Sequence, residues 1–273
     1  SKKEEVCRRK LCDWCYSIVD GYELDRSTAA VAMSYFDRLV PRTKGRYWIL
    51  SLAACLNIAI KVNSYGGQMI SPGKMAELAS TIIMSNEKSY SSGDILKMEI
   101  YVLEELDWFV NPPVPQTFLD IISPILTHSP MCQYDFDDED NNVVIDGEVR
   151  HILCQTAQFL CELSVFDVFF STKNPSAIAI AALLVALDVM QFPAGASKWV
   201  LSLPLDCNLD ELNIYAQRLH KLYEHEGNGP QCTYWSNSST GEDSDKGKAR
   251  TITPLKDDMP PNIKRCREDT IEA

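Results

Sequence analysis

Several things are missing from this 273-residue sequence. No stretch alternates apolar and polar residues as a half-buried strand does, so helix is the regular structure to expect. There is no glycine loop for phosphate, no G-x-G-x-x-G and no G-x-S-x-G, so those binding and nucleophile motifs are excluded. The four histidines, His128, His151, His220 and His225, are scattered. None has metal spacing such as H-E-x-x-H. No catalytic residue, metal site or cofactor is therefore expected. Basic charge is also short: 26 Lys and Arg stand against 38 Asp and Glu, a net charge of −12. That balance disfavours direct nucleic-acid binding and attachment to anionic membranes, which need a basic footprint. No window approaches a membrane span, and no segment resembles a signal peptide.

Cysteine is plentiful, ten in all, but a framework is lacking. Cys12 and Cys15 form a C-x-x-C with no second pair to match it. The ten read as buried, reduced thiols of a reducing compartment, which places the chain inside the cell, in the nucleus, the cytoplasm or both.

What is present is apolar helix. Tyr47–Val62 reads YWILSLAACLNIAIKV, with no charge, Gly or Pro before Lys61. Alanine and leucine favour helix, and a helix apolar on every side must be surrounded. This run is shorter than the ~20 residues of a membrane span, so it is read as the central rod of a helical domain. Ser176–Val189 repeats the pattern, apolar all round until Asp188.

Amphipathic helices surround the two rods. The first covers 4–22, with Cys7, Leu11, Trp14, Cys15 and Ile18 on one stripe. The second covers 26–40, with Asp25 before it and Pro41 after. Ser71–Pro72 opens a short helix, and Ser91-x-x-Asp94 resembles a capping box for the next, which runs to Leu106. Asn111–Pro115 then forbids helix and forms a stiff linker. Helices at 116–127, 148–164, 175–189, 196–202 and 208–224 follow. The acidic residues of 133–147, with no base among them, make a surface loop. Past Glu226 the composition turns to Gly, Asn, Ser, Thr, Pro and charge, and 227–273 reads as a disordered tail. The expected fold class is all-α: a bundle over 1–111, a second over 112–226, and the tail.

Two polar constellations stand out. Glu99 falls on the apolar face of the 91–106 helix, where an unpaired carboxylate is costly. Lys61, at the end of the first rod, is its candidate partner. Such a pair is either a partner-binding feature at the rim of a bundle or a purely structural ion pair. Arg8 and Asp37 pose the same question, with the structural reading favoured. Pairing them would tie the first helix to the second.

The residues together resemble the cyclins. The likeness rests on Arg8, Leu11, Asp13 and Trp14; on Val31-Ala32-Met33-Ser34-Tyr35-Phe36-Asp37-Arg38-Leu39; on Ala53-Ala54 with Ala59-x-Lys61; and on Asp94-Ile95-Leu96-Lys97-Met98-Glu99 with Val102-Leu103, Leu106 and Trp108. It is specific over about residues 4–118, and a matter of pattern beyond. The resemblance implies two five-helix cyclin folds, each around a central apolar helix. It also implies a non-catalytic subunit that binds and activates a cyclin-dependent serine/threonine kinase in the cell cycle.

On that resemblance Lys61 and Glu99 fall on the family's kinase-contacting positions, with Ile58, Val62, Trp108 and Val110 as flanking apolar contacts. Ile58 is expected to face outward. Arg8, Leu11 and Asp37 match internal framework residues. Leu11 and Trp14 match part of the family's docking patch for kinase substrates or inhibitors, where Lys10, Ser17 and Ile49 depart from the usual residues. Val62-Asn63-Ser64 departs from the usual run after the lysine, which bears on kinase choice. In the tail, Thr253-Pro254 is a minimal proline-directed phosphorylation site, and Lys264-Arg265-x-Arg267 is a short basic cluster. The alternative reading is a kinase-independent cyclin-fold adaptor or transcription scaffold. The acidic balance argues against its nucleic-acid form.

Overall fold

The computed structural model describes residues 2–63, 69–82, 89–128, 147–192, 194–203 and 207–226. The regular structure among them is helical, and it falls into two compact units that divide at Pro112–Pro113. The first unit holds α1 (Lys2–Gly21), α2 (Ser27–Leu39), α3 (Trp48–Asn63), α4 (Pro72–Ile82) and α5 (Ser92–Glu105). The second holds α6 (Pro115–His128), α7 (Gly147–Phe166), α8 (Pro175–Val189), α9 (Ala194–Leu201) and α10 (Leu209–Glu226). The acidic residues 133–146, the tail 227–273, Thr253 and the basic cluster at 264–267 lie outside the described residues.

The two apolar runs are the axes of the two units. In α3, every residue from Leu50 to Ile60 is buried, and α1, α2, α4 and α5 all pack against it. In α8, Ala177–Leu183 and Val185–Leu187 are buried, surrounded by α6, α7, α9 and α10. One expectation needs correcting. The 3-10 turn Gly45–Tyr47 leads without a break into α3, so Gly45–Asn63 is by length and composition a helix apolar enough to cross a membrane. Its burial inside the bundle satisfies those apolar sides with protein instead.

Local chemistry sets the helix starts. Ser91 and Asp94 form a reciprocal capping box: Ser91 Oγ accepts from the Asp94 amide and Asp94 Oδ2 from the Ser91 amide. Asn174 Oδ1 accepts from the Ser176 amide, ahead of Pro175 at the first helical position. Pro115, expected within the linker, is instead the first residue of α6, where the proline's missing N–H costs nothing. Three helix ends close alike, with the left-handed residue supplied by Glu23, Asp107 and Gln191 rather than glycine. After α1, α5 and α8, the paired bonds Leu24→Val19 and Glu23→Asp20, Trp108→Leu103 and Asp107→Glu104, and Phe192→Leu187 and Gln191→Asp188 satisfy the last carbonyls.

Candidate functional site

Glu99 sits two turns into α5 on the face turned toward α3, only 6% exposed. Three polar atoms meet its carboxylate. Lys61 Nζ lies 2.7 Å from Oε1 and 2.8 Å from Oε2, and Asn57 Nδ2 donates to Oε1 at 2.7 Å. Asn57 and Lys61 are four residues apart on α3, so they share one helix face. The arrangement grades from inside to outside: Asn57 is fully buried, Glu99 nearly so, and Lys61 reaches solvent. A buried carboxylate is tolerable when hydrogen-bonded and paired, as here. An ammonium has three donors. Two of Lys61's are directed at the Glu99 oxygens.

Asn57 is the member that the sequence reading missed. It lies inside the apolar run, whose interior appeared to need only packing. The signal was there: a lone amide, buried by its neighbours, one helical turn before the lysine.

Beyond α5 the chain turns outward. Asp107 and Trp108 both adopt left-handed backbone, φ 52° and 60°. For a bulky residue such as Trp108 that is a genuine outlier, costing of order 1–3 kcal/mol and held by its surroundings. The surroundings come from α2 and the turn after it. Arg38 donates to the carbonyls of Leu106 (3.2 Å) and Phe109 (3.1 Å), with its guanidinium over the Phe109 ring. Tyr35 Oη donates to the Val110 carbonyl, and Arg42 donates to the Glu105 carbonyl at 3.2 Å. The result presents Trp108 at 67% exposure, with Phe109 also exposed and Val110 half-buried. Val62, beside Lys61, is exposed too. Ile58 is not: it is 4% exposed, which corrects the outward orientation expected of it. Ile58 lies one turn before Lys61 on a neighbouring part of the helix surface, but still within the continuously buried run 50–60, where the surrounding helices cover it.

Arg8 and Asp37 meet in a two-pronged pair, Nη1 on Oδ1 and Nη2 on Oδ2 at 2.9 Å, joining α1 to α2. Burial pushes the Asp37 carboxyl above its usual range, and the Arg8 hydrogen bond and charge pull it back. Leu11 is buried in the same helix, and Trp14 is half-buried. Lys10 and Ile49 are also half-buried, while Ser17 is exposed and bonds its own helix at the Trp14 carbonyl. Cys12, Cys15, Cys55 and Cys161 are buried. Desolvation raises all four thiols, Cys12 to about 12. Such thiols are poor nucleophiles and ligands. Among the described residues no group of His, Cys, Asp and Glu has a metal-holding arrangement.

The second unit has an ion pair of its own that sequence reading passed over. Arg218 on α10 grips Asp167 through Nε and Nη2 (2.5 and 3.0 Å) and covers the Phe169 ring. Asp167 in turn caps the turn after α7 by accepting from the Phe169 amide. It lies fifty-one residues from its partner in sequence, and no spacing rule connects them.

Comparison with known proteins assigns the architecture. The family described as cyclin, N-terminal domain, matches residues 1–111, and cyclin, C-terminal domain, matches 113–254. Cyclin-D of Ostreococcus tauri is 30% identical over 184 residues, 66% of this chain and 46% of that protein. Cyclin-D3-3 of Arabidopsis thaliana is 30% identical over 122 residues, 43% of this chain and 32% of that protein. The chain thus spans less than half the length of these relatives. A viral cyclin from herpesvirus saimiri superposes with a TM-score of 0.60 at 16% identity, covering 80% of this chain and 84% of that one. A chain of the CAK complex of Chaetomium thermophilum bound to ATP-gamma-S gives 0.53 at 15%, covering 82% and 64%. These structural likenesses show a shared fold. With two five-helix units, each wrapped on an apolar helix, and both halves matched by the family's domains, the chain belongs to the cyclin family.

Proposed function

We propose that this chain is a non-catalytic regulatory subunit that binds and activates a cyclin-dependent serine/threonine protein kinase. The observation that carries the reading is the Lys61–Glu99–Asn57 arrangement. Asn57 and Lys61 fix the Glu99 carboxylate from both sides, and Glu99 in turn aims the Lys61 ammonium at the surface. Two of its three donors are spent on Glu99. The third is available to a backbone carbonyl or carboxylate of the kinase near its αC helix. Val62 and Trp108 add exposed apolar contact on the same unit. Held at that region, αC stays inward, the kinase's own Lys–Glu pair forms, and its activation loop opens. The family membership and the likeness to a chain of a CAK complex support the same reading.

The test is recovery of the tagged chain from a cell extract, a histone kinase assay on the captured material, and identification of the kinase by mass spectrometry. Kinase activity is expected with the natural chain, and loss of it with Lys61→Ala plus Glu99→Ala, circular dichroism confirming the helices. Full activation by the folded double variant would remove the pair from the interface. A natural chain that captures no kinase but another partner would favour an adaptor.

A further inference from the structure

Four Ser/Thr-Pro dipeptides occur in the chain, at Ser71, Ser123, Ser129 and Thr253. In two of them, Ser71-Pro72-Gly73-Lys74 and Thr253-Pro254-Leu255-Lys256, a lysine follows three residues after the hydroxyl. Ser129 and Thr253 lie outside the described residues, so the structure distinguishes Ser71 from Ser123. Ser123 is half-buried inside α6, and its hydroxyl is engaged with Cys154 at 3.2 Å. A kinase cleft cannot take it up without opening α6. Ser71 is exposed and stands just ahead of α4; Gly73 and Lys74 after it are exposed, and full burial begins at Met75. Two amide bonds hold this first turn, from Lys74 to Ser71 Oγ at 3.2 Å and from Met75 to the Ser71 carbonyl at 2.9 Å. Pro72 has no amide to lose, and Gly73 weakens a helix and has open space beside it. The turn can therefore fray without unburying a core side chain.

We propose that Ser71 is a phosphorylation site for a proline-directed serine/threonine kinase. The residue before a proline is biased to extended backbone, the shape a peptide takes across a kinase cleft. The ring and missing N–H of Pro72 mark the next position, and Lys74 offers a positive charge two residues further on. Its ammonium is paired with Glu77 at 2.8 Å, a surface pair that exchanges cheaply. In the transfer, a bond forms from Ser71 Oγ to the γ-phosphorus of ATP as the bond from that phosphorus to the bridging oxygen breaks. The hydroxyl proton passes to the base of the kinase, and ADP leaves. The product suits its place. A phosphate adds about −1.5 to −2 charge, and the start of a helix favours negative charge. Its oxygens can accept from the Lys74 amide as Oγ does now, and the Lys74 ammonium stands one turn along on the same face. Phosphorylation therefore tightens the start of α4. The kinase acts here on the chain as its substrate, so the proposal stands apart from the activation reading.

The test incubates the full chain, carrying Thr253→Ala so that the tail's matching motif adds no phosphate, with a purified proline-directed kinase, magnesium and ATP. Peptide mass spectrometry follows labelling over time. Phosphate is expected on Ser71 and not on Ser123. Lys74→Ala should slow labelling of Ser71 about tenfold, the loss of one charge-assisted contact to the kinase. Glu77→Ala breaks the same surface pair but keeps the lysine, and should label at least as fast as the parent. The phosphorylated chain should melt about 1–4 °C higher, and phosphatase should return it to the starting value. Absence of phosphate from Ser71, phosphate on Ser123 in its place, or equal rates for Lys74→Ala and the parent overturns the proposal. So does a lower melting temperature on phosphorylation, because the added charge then breaks the turn instead of tightening it.

Discussion

At the scale of single residues, the charged pairs of the first unit differ in what they do. Arg8 and Asp37 fasten α1 to α2 in a largely buried pair. Folding raises the Asp37 carboxyl above its usual value, by burial, against the pull of Arg8. A carboxyl raised on folding favours the folded chain fully below its unfolded value. That advantage is lost as pH climbs through the folded one. Removing Arg8 leaves burial unopposed, so the value rises further and the ionised form becomes costly at neutral pH. Arg8→Leu should therefore cost about 3–5 kcal/mol near neutrality. The deficit should narrow on going from neutral to acidic pH, because protonation of Asp37 relieves the unpaired buried charge. Thermal melts of both chains at the two pH values decide it, and equal deficits would refute the explanation. Trp108 is the opposite case. Its ring is mostly in solvent, so Trp108→Ala should leave the melting temperature within about 1 °C while weakening kinase binding about 30-fold or more, the usual effect of truncating a central aromatic anchor. Calorimetric titration with the purified kinase checks it. Unchanged affinity would take Trp108 out of the interface.

At the scale of elements, the helix ends show where the sequence was legible. The starts of α4 and α5 were visible in Ser71 and in Ser91 with Asp94, because capping chemistry is local and leaves a residue signature. The ends of α1, α5 and α8 lacked the glycine that marks such turns, and the left-handed residue is Glu23, Asp107 or Gln191. What closes these helices is a pattern of backbone bonds that any residue can make at a cost, so the letters do not display it. Relieving the cost is a test: Gln191→Gly should stabilise the chain by about 0.5–1 kcal/mol, since glycine adopts positive φ without a Cβ penalty. Chemical denaturation measures the gain, and a loss would mean that the Gln191 side chain contributes more than its backbone strain removes. The same distinction separates the candidate site into two parts. Lys61 and Glu99 were legible because a carboxylate on an apolar stripe demands a partner. Arg38, Tyr35 and Arg42, which hold the α5 exit by its carbonyls, were not, because those acceptors are backbone atoms more than sixty residues away.

At the scale of the whole molecule, the burial of cysteine reports on cooperativity. Cys12, Cys15 and Cys55 lie in the core of the first unit, and Cys161 lies in the core of the second, packed with Leu160, Leu183 and their neighbours. Desolvation keeps all four as thiols near neutral pH, so each is inert until its own core opens. The two cores gather around different helices, α3 and α8, and a unit with its own core can open by its own equilibrium. Heating in steps, with a brief pulse of alkylating reagent at each and peptide mass spectrometry afterwards, should label Cys12, Cys15 and Cys55 together at one temperature and Cys161 at another. Half-buried Cys7, Cys154 and Cys207 should react earlier and serve as the internal control. Simultaneous labelling of Cys55 and Cys161 at every step would mean that the units unfold as one.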